Sequence, residues 1–150
     1  MLAHVVFLGF WYPLFVLPTL KATKKSMRIS TALYGTAHHK NGIANAFRHA
    51  LWNYLIAKEC QNWNKNLDKV LAWTEKITNW HEAAFPNKEL AKKMDLHNNQ
   101  IGRLLFKDNS QRSEDEAVDT IAKMAADSIL VDREAALDNH KNTLVHIIEE

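Results

Sequence analysis

One cysteine, three prolines and four glycines are all that 150 residues offer of the types that staple or punctuate a chain. With Cys60 alone, no internal disulfide, CxxC pair or cysteine–histidine zinc finger can form. Nothing around Cys60 resembles the setting of a nucleophile, so it reads as a small hydrophobe at a helix end. Scarce glycine and proline disfavour a turn-rich β fold. Glycine is also too sparse for a phosphate-cradling loop. HExxH is absent, and neither a strand pattern nor an internal repeat is visible.

What remains is ordinary globular material, 47% hydrophobic and 24% charged, which excludes a disordered chain. The length suits one domain with enough buried surface to need no staple. The net charge of +2 conceals an asymmetry. Residues 1–107 carry 15 Lys/Arg against 6 Asp/Glu, whereas residues 108–150 carry 4 against 11. Either the basic part faces anionic lipid or nucleic acid, or the acidic C-terminal helices pack on it. The Lys88, Lys92, Lys93 run reads as a solvated helix face, and Trp63, Trp73 and Trp80 read as packing groups.

Leu2–Leu20 is nearly all apolar, with only His4 and Thr19 clearly polar, and is about long enough to cross a bilayer. Pro13 is expected to kink this segment and Pro18 to end it. Lys21, Lys24, Lys25 and Arg28 follow at once. Three readings compete. A signal-anchor with this basic flank places the main domain in the cytoplasm. A cleaved signal peptide lacks its basic n-region and A-x-A site here. The third is a buried or interfacial hairpin broken at Pro13. Residues 1–20 are thus an apolar segment in contact with membrane lipid or buried, and residues 21–150 a single helical domain.

Beyond it the pattern is helical throughout. A short helix over Ser26–Tyr34 stops at Gly35, and Ala37–Gly42 is a loop. Main helices are predicted at about Ile43–Cys60, Leu67–Phe85 and, after an Asn87 N-cap, up to Phe106. Ser113 and Glu116 form a capping box opening a fourth helix to about Leu130. A last helical stretch covers roughly 132–148. The fold expected is all-α, a small helical bundle.

The histidines matter by position. His81 follows Leu67, Val70, Leu71, Thr74 and Ile77 on one stripe, and His97 lies between Met94 and Ile101 on another. His49, with Asn45, Trp52 and Asn53, edges the face made by Phe47, Ala50, Leu51, Tyr54 and Leu55. Asp95, Asn98, Asn99 and Gly102 share one helix face, and Gly102 leaves room for a backbone or a ligand. Buried polar groups left unpaired cost roughly 1–3 kcal/mol each. Three inward imidazoles are therefore expected to meet carboxylates, amides, each other or a shared ion.

At NAFRHALWN (45–53), WHE (80–82) and MDLHNNQIGR (94–103) the chain resembles a bacterial family of small helical domains of unknown function. Its signatures RHxxW, HE and DLHNNxxGR recur in stand-alone Bacteroidetes-type proteins and in C-terminal domains of large toxin-like proteins. The resemblance covers about Thr19–Phe106 and implies a shared site. Arg48, His49, Trp52, His81, Glu82, Asp95, His97, Asn98, Asn99 and Arg103 are its signature positions.

Three chemistries fit these residue types. In a metal-dependent hydrolase, His49, His81, Asp95 and His97 ligate Zn²⁺ or another divalent ion. Glu82 is then the general base, and Arg48 or Arg103 holds an anionic group such as a phosphodiester, with phospholipid the first substrate class and nucleic acid the second. Asn45, Trp52, Asn98 and Asn99 support the site. In a metal-free alternative, His49 or His97 is oriented by Asp95 or Glu82. In the third, the network is structural and the protein is a membrane-associated module.

Overall fold

The computed structural model describes residues 12–85 and 87–148. Its helices are α1 (Pro13–Tyr34), α2 (Ile43–Gln61), α3 (Leu67–Ala84), α4 (Glu89–Asp108) and α5 (Glu114–Ala126). Short 3-10 segments cover Gly35–His39 and Glu134–Asn139, and two two-residue strands, β1 (Ile129–Leu130) and β2 (Val145–His146), pair in parallel. The fold is a small all-α bundle.

α2 is its axis. Fifteen of its nineteen residues are buried, polar and apolar alike, and it touches each of the other four helices. A helix buried almost all round must be covered on nearly every side, and only Ile43, Arg48, Lys58 and Gln61 of α2 keep contact with solvent. Alanines at 44, 46, 50 and 57 keep its girth small. The closest approach is by α4: a Cβ built on Gly102 would sit 2.1 Å from the Ala50 carbonyl oxygen. Gly102 makes room for a neighbouring backbone.

The predicted Ser26–Tyr34 helix is the last part of a longer one. Pro13 opens α1 at a position where its missing N–H costs nothing. Pro18 does not end the helix but lies buried inside it, and the unserved Leu14 carbonyl belongs to an exposed residue. Gly35 terminates α1 with φ of 59°, the only positive φ among the described residues. Thr19 and Thr23 turn their hydroxyls back to the Phe15 and Thr19 carbonyls, at 2.7 and 2.8 Å. The Thr19 and Thr23 hydroxyl oxygens in turn accept the indole N–H of Trp73 (2.9 Å) and Trp52 (2.8 Å), tying α1 to α3 and α2.

Helix starts follow local chemistry with one exception. Asn66 caps α3 through the Lys69 amide, and the Ser113–Glu116 capping box opens α5. Asn87 is not the cap of α4: its side chain accepts from the next amide, Lys88, which is itself the N-cap. α5 stops at Ala126 rather than near Leu130, and the expected C-terminal helix over 132–148 does not form. That tail runs as a 3-10 turn and a strand against α4, where Asn98 holds Val145 in both directions (2.9 and 3.0 Å). The acidic part does pack on the basic part: Glu114 pairs with Lys25 at 2.6 Å, and Glu134 pairs with Lys93.

Among the described residues no helix is long and apolar enough to cross a membrane. Residues 2–11 of the apolar segment lie outside the described residues.

Cys60 is fully buried between α1 and α2, and burial pushes its thiol up to about 12. The expected result with an aromatic disulfide reagent at neutral pH is negligible labelling of the native chain and prompt labelling in denaturant. Prompt labelling without denaturant would show that α1 does not seal this face of α2.

Candidate functional site

α2, α3 and α4 converge on His49. Its ring is fully enclosed, with Glu82 Oε1 3.5 Å from Nδ1 and Asp95 Oδ1 3.3 Å from Nε2. One ligating atom from each of His49, Glu82 and Asp95 can be chosen so that all lie within 4.8 Å of one another, and all three residues are buried. Donors of this kind at this spacing suit a divalent cation.

The ring's tautomer is fixed by its neighbours. The Arg48 guanidinium can only donate, and its Nη2 lies 2.7 Å from His49 Nε2. Nε2 therefore carries the lone pair, and Nδ1–H donates to Asn99 Oδ1 at 3.1 Å. The Asn99 amide donates in turn to Glu82 Oε1 at 3.1 Å, and its oxygen also accepts from Asn53 at 2.7 Å. Asn53 is held through its own oxygen by Arg103 Nη1 (2.9 Å) and faces the Thr78 hydroxyl at 3.1 Å. This chain of amides fixes the imidazole so that its lone pair faces Arg48 and Asp95.

One atom stands outside the accounting. Asp95 Oδ1 is buried with no hydrogen-bond partner among the described residues, while Oδ2 meets only a long contact from Asn87 at 3.5 Å. Burial first, and then the nearby Glu82 carboxylate, push the Asp95 carboxyl up to about 8, against the pull of Arg48. Burial raises Glu82 too. It drives His49 well below the usual imidazole value, with Arg48 adding to the effect, so His49 is neutral at physiological pH.

The other expected residues divide. His81 is half-buried rather than core-facing, its ring 5.1 Å from Trp52 and 4.6 Å from Phe85. It is Glu82, one residue on, that turns inward. His97 is not in the cluster: its Nε2 contacts the Thr143 carbonyl at 2.8 Å, on the side of α4 that carries the tail. Asn98 likewise serves the tail. Arg103 lies one layer behind, holding Asn53 and reaching Glu75 at 3.5 Å. Of the two arginines, Arg48 faces the trio, positioned by its Nε bond to the His38 carbonyl at 3.0 Å. Asn45 is buried, with Oδ1 unpaired among the described residues, and Trp52 stands edge-on to both His49 and His81. Asn53 had a sequence signal, one turn after His49. Thr78 and Asn87 had none.

Neither curated proteins nor solved structures give a match. The family model of a domain of unknown function, DUF6973, matches residues 6–129, beyond both limits of the motif-bearing region. Since that is most of the chain, the protein belongs to the DUF6973 family.

Proposed function

We propose that the protein is a metal-dependent hydrolase whose ion is held by His49 Nε2, Asp95 and Glu82, with an anionic ester such as a phosphodiester as substrate. The observation that carries this reading is the unpartnered Asp95 Oδ1, buried 3.3 Å from His49 Nε2. Two buried carboxylates and an imidazole lone pair form an arrangement that a cation completes. A bound divalent ion supplies Lewis acidity and an acidified water.

The chain's own groups take up the rest. Asn99 keeps Nδ1 protonated so that Nε2 stays available. Arg48, half-buried beside the trio, binds the anionic group in place of its present contact with Nε2. The inward turn of Glu82 and outward turn of His81 exchange the roles that sequence alone suggests. Glu82 becomes a ligand, and His81 the proton acceptor at the rim. His81 suits this, because burial, and then Arg48, lower its affinity for protons below that of a free imidazole. The RHxxW, HE and DLHNNxxGR segments would then be the signature of one site shared by bacterial members of the family.

The test is elemental analysis and thermal melting of protein with and without Zn²⁺ or Mn²⁺. One equivalent of metal is expected, with a rise of roughly 5–10 °C at saturating ion. His49→Gln and Asp95→Asn should lose both, and His97→Gln should keep both. With bis(p-nitrophenyl) phosphate, His81→Ala should retain the metal but lose roughly 10²–10⁴-fold in kcat. A folded wild type that takes up neither ion would overturn the reading.

That outcome favours the second reading, for which the Arg48–His49 contact at 2.7 Å speaks. Arg48 already occupies the lone pair and offsets the carboxylates. The network would then fix the register of α2 against α3 and α4 without chemistry.

A further inference from the structure

We propose that the outward face of α1 is a peripheral docking surface for an anionic lipid bilayer. Leu14, Leu17 and Leu20 are 56, 66 and 54% exposed, an unusual concentration of bare leucine on one helix. At about 100° per residue, Lys21, Lys24 and Arg28 continue the same stripe. The face is thus apolar over its first two turns and basic over the next two.

The charges are available. Lys24 and Arg28 have no acidic partner among the described residues, whereas Lys21 and Lys25 pair with Glu59 at 2.9 and 3.0 Å. Lys21, Lys24, Lys25 and Arg28 line a shallow cleft of about 290 Å³. At the apolar end, Tyr12 and Leu14 share a second cleft of about 490 Å³ with Trp73, Lys69 and Lys76, and the Lys76 ammonium lies 5.3 Å from the Tyr12 ring centre. Aromatic rings with lysines beside exposed leucines are the composition of a membrane interface.

Lipid fits this order better than nucleic acid or an acidic protein. A phosphodiester chain gives the leucines nothing to enter. Separation of apolar from basic along one helix matches the passage from hydrocarbon to headgroups. This inference is independent of the hydrolase reading, since none of its residues touches His49, Glu82 or Asp95.

The test is co-sedimentation of the full chain with vesicles. One set holds equal parts phosphatidylglycerol and phosphatidylcholine, the other phosphatidylcholine alone. The wild type is expected to bind the anionic vesicles, less so as salt rises. Lys24→Gln with Arg28→Gln should weaken that binding roughly 30-fold. Leu17→Ser with Leu20→Ser should weaken it roughly tenfold or more. All four positions are exposed, so both variants should melt as the wild type does. Undiminished binding by both variants would assign any membrane affinity to residues 1–11 and overturn the proposal. So would equal binding to neutral vesicles. A wild type that ignores lipid but dimerises, with the leucine variant monomeric, would give the face to a second copy and overturn it equally.

Discussion

Gly102→Ala is expected to destabilise the protein by roughly 3 kcal/mol or more, lowering the melting temperature by roughly 6–12 °C. One added methyl would have to stand 2.1 Å from the Ala50 carbonyl oxygen, 2.8 Å from its carbon and 2.9 Å from its Cα. All three atoms are backbone, so no rotamer change relieves the clash. α4 would have to move away from α2 by an ångström or more. The displacement falls where the site is least tolerant: Ala50 follows His49 directly, and Gly102 follows Asn99 and Asp95 by one and two turns. The variant should therefore lose metal uptake even at temperatures where it stays helical. Circular dichroism melts with elemental analysis of the folded fraction check both effects. A variant that melts like the wild type would mean that the two helices do not approach as closely as described.

Asp95→Asn should have the opposite effect on stability and a severe one on function. A carboxyl raised from 3.8 to about 8 holds in the folded state a proton that the unfolded chain has given up. Metal-free stability therefore falls as pH rises between those values, and the penalty is fully present above the higher one. An amide of the same shape escapes it. Against metal-free wild type, Asp95→Asn should gain roughly 2–4 kcal/mol at pH 8, a margin shrinking towards zero near pH 4. His49 and Glu82 are common to both proteins, so their own titrations largely cancel in the difference. The amide cannot replace the anionic ligand, and metal binding should be lost. Denaturant unfolding of both proteins across pH gives the margin. A variant less stable than the wild type at pH 8 would show that Asp95 has a compensating partner.

Much of this arrangement was legible in the chain. The helix boundaries from Ile43 to Ala84 follow from periodicity and breakers, and Ser113–Glu116 from capping chemistry. Asp95, Asn98, Asn99 and Gly102 do share a buried face. The rotation of α3 was not legible. Its buried stripe is Val70, Trp73, Thr74, Thr78 and Glu82; the stripe drawn from apolar spacing holds Thr74 but runs on through Ile77 to His81 and overlooks Thr78. Both threonines return their hydroxyls to carbonyls one turn back, at 2.9 Å in each case, which lets them sit in the buried stripe with their polar atoms satisfied, and the Thr78 hydroxyl also reaches Asn53 of α2 at 3.1 Å. That small rotation moves Glu82 in and His81 out. His97 was misplaced for a different reason. A helix flanked on two sides has two inward faces, and only the tail, far along the chain, shows which one His97 serves. The tail's strand is only two residues long, and its order comes from distant partners: Asn98, the Asn41 carbonyl, and the packing of Val145 and Ile147 against Ala91 and Met94 of α4 and Val131.

The fastening of that tail has a consequence for the order of events during synthesis. Asn98 and Val145 are separated by 47 positions, and the Ile147 amide reaches back to the Asn41 carbonyl, just ahead of the helix that carries His49. The three helices that gather His49, Glu82 and Asp95 are complete by Asp108. At ribosomal speeds of about 5–20 residues per second, the stretch from Asp108 to Ile147 arrives roughly 2–8 s later. The nascent chain therefore passes through an interval in which the centre can be gathered but not yet latched.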